Sequence, residues 1–209
     1  MTAPIRLHRF ALSGHAHRAE LFLSLLGLPF ENIDVDLRTG AQKQPDFLRL
    51  NPFGQVPVIE DGNVVVADSN AILVYLASKY DKTGRWLPRD PVLAAEVQRW
   101  LSVAAGPLAM GPALARIILL FKAPLDHERA KTAATALFGV MEAHLATRDF
   151  FVGDGPTIAD IALYSYTAHA PEGGVALEPY ANIRAWLRRI EALPGFVPMI
   201  KSPLPQAAE

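Results

Sequence analysis

The stretch Asn51-Pro52-Phe53-Gly54-Gln55-Val56-Pro57-Val58-Ile59 decides how the rest of the chain is read. It holds a proline at the start of a strand-like run, which keeps the backbone before it extended. Extended backbone of this kind pairs with a short peptide as a strand would. Soon after it, Asp68-Ser69 opens the helical run Asn70-Ala71-Ile72-Leu73-Val74-Tyr75-Leu76. A helix N-terminus carrying an acid and a hydroxyl binds charged ends. The pair of features suggests a small zwitterionic peptide as ligand.

Upstream, Ile5-Arg6-Leu7-His8-Arg9-Phe10 alternates apolar and polar residues, the pattern of a half-buried strand. The loop 11–16 follows, then a helix whose apolar face is Leu21, Phe22, Leu25 and Leu26, stopped by Gly27. Residues 30–37 read as a second strand, and Pro45 as the start of a short helix. Downstream, residues 56–60 and 64–66 are strands around the turn Asp61-Gly62. The order is β-α-β-α-β-β-α.

Residues 80–90, with Thr83-Gly84 and Pro88, read as a linker between 1–79 and 91–209. Beyond it the pattern is helical. Leu93, Val97, Trp100, Leu101 and Ala104 form one stripe, and further helices are expected over 130–146, 161–170 and 183–190. Gly106-Pro107 and Gly111-Pro112 interrupt the first of them. They mean either a kink that opens a cavity or a short break between two helices. The tail from Ser202 reads as unstructured.

Composition narrows the partners. The 209 residues are 51% apolar and 20% charged, with a net charge of -1. That balance gives no basic surface for nucleic acid. No uninterrupted apolar run approaches the roughly 20 residues of a membrane span, and the N-terminus lacks the apolar core of a signal peptide. Cysteine is absent, which removes disulfides, thiolate metal sites and any protein-thiol nucleophile. It fits a reducing, cytoplasmic setting. Any sulfur chemistry must use a ligand's sulfur.

The motif running from Asn51 to Gly62, the segment Ala67-Asp68-Ser69-Asn70-Ala71-Ile72 and the segment Gly153-Asp154-Gly155-Pro156-Thr157-Ile158-Ala159-Asp160-Ile161-Ala162 are arranged as in one family. Over nearly its full length the chain resembles a cytosolic glutathione S-transferase, close to the theta-, nu- and beta-like bacterial members. The resemblance implies a thioredoxin-like N-terminal domain (βαβαββα), an all-helical C-terminal domain, a homodimer and a detoxification role. It implies glutathione as co-substrate, no metal, and a small electrophile or a disulfide as second substrate. It implies a cis bond before Pro57, with Gln55, Val56 and Pro57 along the peptide and Val56's N–H and C=O toward the cysteinyl part. Asp68 and Ser69 hold the γ-glutamyl end, and Gln42, with Lys43 as the electrostatic alternative, holds the glycyl end. Outside the motif, Asp68-Ser69 is an ordinary helix cap. Thr157 and Asp160 form a variant capping box, a stability element.

The thiol must be activated by the loop Ser13-Gly14-His15-Ala16-His17-Arg18. Lowering a thiol pKa from about 8.5 by two units needs about 2.7 kcal/mol of preference for the thiolate. Ser13 falls where theta-like members keep a catalytic serine. His15 falls where beta-like members have cysteine and nu-like ones asparagine. The chain also lacks the early catalytic tyrosine of other classes, its first tyrosine being Tyr75. Ser13 is read as hydrogen-bond donor to the thiolate and His15 as donor or base, against the plain readings of turn residue and solvated cap. Phe10, Leu12, Met110, Arg116 and Phe121 are expected to wall the electrophile site, although Arg116 also fits a surface arginine lying along apolar neighbours.

Overall fold

The computed structural model describes residues 3–202. Four strands form one sheet, β1 (Ile5–Arg9), β2 (Phe30–Asp34), β3 (Val58–Asp61) and β4 (Val64–Ala67), in the order β2-β1-β3-β4. β1 pairs in parallel with β2, while β3 runs antiparallel to both β1 and β4. Successive strand residues face opposite sides. Ile59 therefore joins the main core with Leu7 of β1, while its neighbour Val58 closes a smaller core with Val35 and Phe47. Helices α1 (Gly14–Leu25) and α3 (Ser69–Tyr80) supply the main-core side, through Leu21, Phe22, Ile72 and Leu76. Helix α2 (Pro45–Leu50) supplies Phe47 to the other.

The second half is helical: α4 (Pro91–Ala105), α5 (Leu114–Phe121), α6 (His127–Leu145), α7 (Ile158–Ala168) and α8 (Ala181–Glu191). Helix α7 is its centre, with every residue from Ile158 to Thr167 buried. A buried segment needs its first N–H groups capped from within. Thr157 and Asp160 do this as a reciprocal capping box. The Asp160 carboxylate also accepts from Phe151 N at 3.0 Å and Trp186 Nε1 at 2.9 Å. One apolar core runs from the sheet through α1 and α3 into α7 and α4, so the halves share it.

Several boundaries differ from the sequence reading. β2 ends at Asp34 because Asp36 closes a turn, accepting from Arg38 N and Thr39 Oγ1. β3 starts at Val58, since Val56 and Pro57 lie before the ladder. Helix α7 starts at Ile158, directly after its cap, and stops at Ala168. The connection after α3 begins at Asp81, whose carboxylate takes Thr83 N and Trp86 N. At the Gly-Pro pairs the structure has a break between two helices. α4 stops at Gly106, and a π-turn over Ala109–Ala113 leads into α5. Gly111 allows a close helix crossing there, because a Cβ on it would sit 2.8 Å from Ala134 N of α6.

Counted through that break, Pro91–Phe121 is a 31-residue helical stretch with a window of mean hydropathy 1.7, long and apolar enough to cross a bilayer. The sequence reading, which looked for uninterrupted apolar residues, found no such run. Its apolar residues serve the core: Val97, Trp100, Leu101 and Ala104 are buried, with α4 packed on α7. Ser202, expected in a loose tail, accepts from Arg116 Nη2 at 2.9 Å. The rest of that tail lies outside the described residues.

Candidate active site

A cleft of about 830 Å³ opens between the sheet half and α5. Its first wall is the turn before β3. The buried Asn51 side chain holds this turn, donating to Gln55 O at 2.8 Å and accepting from Phe53 N at 3.1 Å. Gly54 takes φ 60°, and a Cβ there would sit 2.8 Å from Gln42 O. Only glycine meets both demands without strain. The Val56–Pro57 peptide is cis. Neither the N–H nor the carbonyl of Val56 has a backbone partner among the described residues. Backbone groups left this way at a cleft wall are open to an extended ligand.

The second wall is the start of α3. Asp68 is its N-cap, with Oδ1 accepting from Asn70 N and Ala71 N, both at 2.9 Å. It holds φ 75°, ψ 128°, unusual for a residue with a side chain, which presents strained backbone at the cleft. Ser69 is buried behind it and accepts from Arg18 Nη1 at 2.7 Å. Arg18 is wholly buried, also bonds Asn70 Oδ1 at 2.9 Å, and leaves Nε and Nη2 without partners. Burial is the main force lowering its pKa, to about 10, so it remains a cation at neutral pH. A buried cation behind a helix N-terminus adds positive potential there, which suits a carboxylate.

The floor is the start of α1. Ser13 caps this helix, its Oγ accepting from Ala16 N at 3.2 Å. The loop before it is pinned from the helical half. Arg116 is not the surface residue that its sequence also allowed: it is 1% exposed. It donates to Leu12 O at 2.8 Å and to Glu172 Oε2 at 2.6 Å. Glu172 in turn bonds His169 Nδ1 at 2.6 Å. Burial pushes the Glu172 carboxyl up, but the bonds from Arg116 and His169 outweigh it and hold it below the usual carboxylate range. One turn into α1, His17 bridges Ser165 Oγ and Val197 O, each at 2.9 Å.

His15 turns toward Ser69, with Nδ1 to Oγ 3.2 Å. Burial, with Arg18 close by, lowers its pKa to about 3. At neutral pH it is an uncharged imidazole, too weakly basic to hold a thiol proton. Its place is between the Ser13 loop and the α3 end of the cleft. Gln42 and Lys43 line the opposite end, where Gln42 Oε1 is buried without a partner and Lys43 Nζ reaches Phe53 O at 3.2 Å. The cleft's mouth is apolar: Phe10 and Phe121 meet at 6.3 Å between ring centroids, with Leu12, Leu37 and Ile117 beside them. Met110 does not line the cleft. It lies 62% exposed on the π-turn, because the break there rotates the chain away from the mouth.

Ser13, His15, Gln42, Gln55, Val56, Pro57, Asp68, Ser69, Phe10, Leu12, Arg116 and Phe121 thus share one cleft. Arg18, Asn51 and Tyr166 were missed by sequence reasoning. Asn51 and Arg18 stood inside quoted motifs; for Asn51 the available signal was a polar residue between Leu50 and Pro52, and Arg18 carried none. Tyr166, on α7, carried none.

Comparison with known proteins agrees with this fold. Residues 3–78 match the family model described as Glutathione S-transferase, N-terminal domain, and residues 107–194 match Glutathione S-transferase, C-terminal domain. Glutathione S-transferase 3 of Zea mays is 39% identical, over 97% of this chain and 96% of the relative. Glutathione S-transferase GstB of Escherichia coli is 28% identical over 92% and 95%. A solved glutathione S-transferase from Pseudomonas fluorescens superposes with TM-score 0.87 at 34% identity, over 95% of this chain and 100% of that one. A Drosophila mojavensis glutathione transferase homologue, solved with bound glutathione, superposes with TM-score 0.83 at 30% identity, over 93% and 90%. Fold and cleft define a protein with a thioredoxin-like N-terminal domain, a helical C-terminal domain and a cleft between the sheet half and α5. The chain belongs to the glutathione S-transferase family.

Proposed function

We propose that this glutathione S-transferase seats glutathione along Val56 and the start of α3, and presents its thiolate at Ser13 to an electrophile held by the apolar mouth. The observation that carries the reading is the set of unspent groups in one cleft, Val56's N–H and C=O and the Gln42 amide, with the start of α3 between them and the Ser13 loop. Val56 would pair with the cysteinyl residue. Ser69 and the α3 N-terminus, with the Arg18 charge behind Ser69, would take the γ-glutamyl carboxylate, and Asp68 the ammonium. Gln42 and Lys43 would take the glycyl end. Ser13, whose Oγ is already an acceptor in the cap, keeps its O–H as a donor for the sulfur. His15 acts as a neutral positioning residue behind Ser69.

The working unit is a cytoplasmic homodimer. Exposed apolar residues on both halves, Phe53 and Val65 on one and Val92 and Leu93 on the other, support an interface drawing on each. Light scattering should give twice 22.8 kDa; a monomer at micromolar concentration would count against it.

The test is conjugation of glutathione to a chloronitrobenzene in the wild type, Ser13→Ala and His15→Ala. Ser13→Ala should lower kcat more than glutathione affinity and move the pH profile upward. His15→Ala should weaken glutathione binding and leave the profile in place. Faster reduction of a mixed disulfide than conjugation would replace this reading with a reductase.

A further inference from the structure

One phenol in the cleft has no role in the reading above. Tyr166 comes from α7, in the helical half, and is 3% exposed, yet it lines the cleft. Its ring lies across the first residue of α1. A Cβ on Gly14 would sit 2.8 Å from both Cε1 and Cζ, so the hydroxyl end of the ring covers that glycine. The His15 ring meets it edge-on at 5.0 Å. The polar neighbours of the hydroxyl are the Ser13 side chain and the His15 backbone N–H. The neighbouring Ser165 is tied to His17, which fixes α7 against α1 at this point.

We propose that the Tyr166 hydroxyl is a second catalytic donor to the glutathione thiolate, reaching from the helical half to the start of α1 beside Ser13. The inference rests on the proposed seating of the thiol at Ser13. Packing alone would be served by a phenylalanine, whereas a buried hydroxyl needs partners. The His15 N–H and the Ser13 side chain favour negative charge at this oxygen, while no described hydrogen bond takes up its O–H. It lies at the positive end of α1, where negative charge is favoured. Burial keeps the phenol protonated, against the opposite pull of Arg18 and Arg116, so it serves as donor and never as base. The arrangement places a tyrosine at the sulfur although the N-terminal half has none before Tyr75. It also makes thiol activation depend on the docking of α7 against α1.

The test is ultraviolet titration of the bound thiol, together with kinetics, in the wild type, Tyr166→Phe and Ser13→Ala. Tyr166→Phe should raise the thiol pKa by about one unit and lower kcat at neutral pH about threefold, the loss of thiolate when a pKa near 6.5 rises to about 7.5. It should hold the glutathione Kd within about twofold and recover rate at higher pH. An unchanged thiol pKa in Tyr166→Phe, whatever happens to the rate, overturns the proposal, because a packing role would not move it. A shift in Tyr166→Phe with none in Ser13→Ala upholds Tyr166 and removes Ser13 instead. A wild type that leaves the thiol pKa at its free value overturns both. If Tyr166→Phe does not fold, a ring-fluorinated tyrosine at 166 settles the question. The more acidic phenol should lower the thiol pKa further, and an unmoved pKa refutes the donor.

Discussion

The two ends of the cleft are built differently. The end proposed to bind the peptide comes mainly from one continuous run of 19 residues, Asn51 to Ser69, joined by Gln42 and Lys43, and most of its contacts are local. Asn51 holds Gln55, and Asp68 caps its own helix. The end proposed to hold the thiol is assembled from afar. Arg116 grips Leu12, His17 grips Ser165 and Val197, and Tyr166 covers Gly14. The first is a property of a short stretch of chain. The second exists only once the helical half has docked. Damage to the second half should therefore reach the thiol end before the peptide end.

The strongest way to break this contrast is Arg116→Ala. It removes one partner of a buried ion pair and leaves Glu172 without its cation, a change that costs about 3–5 kcal/mol. It also releases Leu12 O and so the loop carrying Ser13. Denaturant unfolding should show a loss of that size. Activity in the folded fraction should fall more than glutathione affinity. Equal losses in both would mean that the cleft is one unit rather than two.

Ser69→Ala is next. It should weaken glutathione binding by about 1–3 kcal/mol, the range for a hydrogen bond to a charged group. Sequence alone suggests that folding survives this change nearly intact. The structure disagrees: Ser69 accepts from Arg18, a wholly buried cation already short of partners. Unfolding should therefore show a further loss of about 1–3 kcal/mol, the cost of leaving a buried donor unsatisfied. Wild-type stability in the variant would mean that Arg18 finds another acceptor.

These two cases show what the sequence made legible. The order of strands and helices followed from apolar periodicity and from Gly27, Asp61-Gly62 and Pro57, because those signals act over a few residues. The cleft wall from Asn51 to Ser69 was legible because its residues lie close together in the chain. Arg116 was open to two readings because its partners, Glu172 and Leu12, are 56 and 104 residues away. Tyr166 was invisible for the same reason: within α7 it reads as one more core aromatic. Met110 was misplaced because helical spacing was carried through a π-turn that breaks it.

Acid should expose the interface between the halves. His15 and His17 are held neutral by burial, with pKa values lowered to about 3 and about 4. Unfolded histidine titrates near 6.5, so below that pH the unfolded chain binds more protons than the folded one. Stability should fall as pH drops from about 6.5 toward the folded values, by up to about 1.4 kcal/mol per pH unit for each histidine. Asp160, raised to about 6 chiefly by burial, works in the opposite sense over part of that range. The difference between wild type and His17→Asn cancels its effect. That variant should be less stable at neutral pH, having lost its bridge to Ser165 and Val197, yet show a shallower acid slope. An unchanged slope would mean that His17 is protonated in the folded state.

The smallest effect separates two residues that the sequence treated alike. Phe121 and Met110 were both expected to wall the electrophile site, and both are exposed, at 45% and 62%. Only Phe121 faces Phe10 across the mouth. Its replacement by alanine removes apolar area that an aromatic electrophile would cover, on the order of 1 kcal/mol. The KM for such an electrophile should rise about fivefold with glutathione affinity unchanged, because the peptide end does not touch this ring. Met110→Ala should change neither constant. It points away on the π-turn and stands in no described contact with the cleft. The two variants have similar exposure and similar helical spacing, so exposure cannot explain a difference between them. If Met110→Ala raises the KM as much as Phe121→Ala does, the substrate extends past α5 onto the π-turn. The mouth would then be wider than the walls described here.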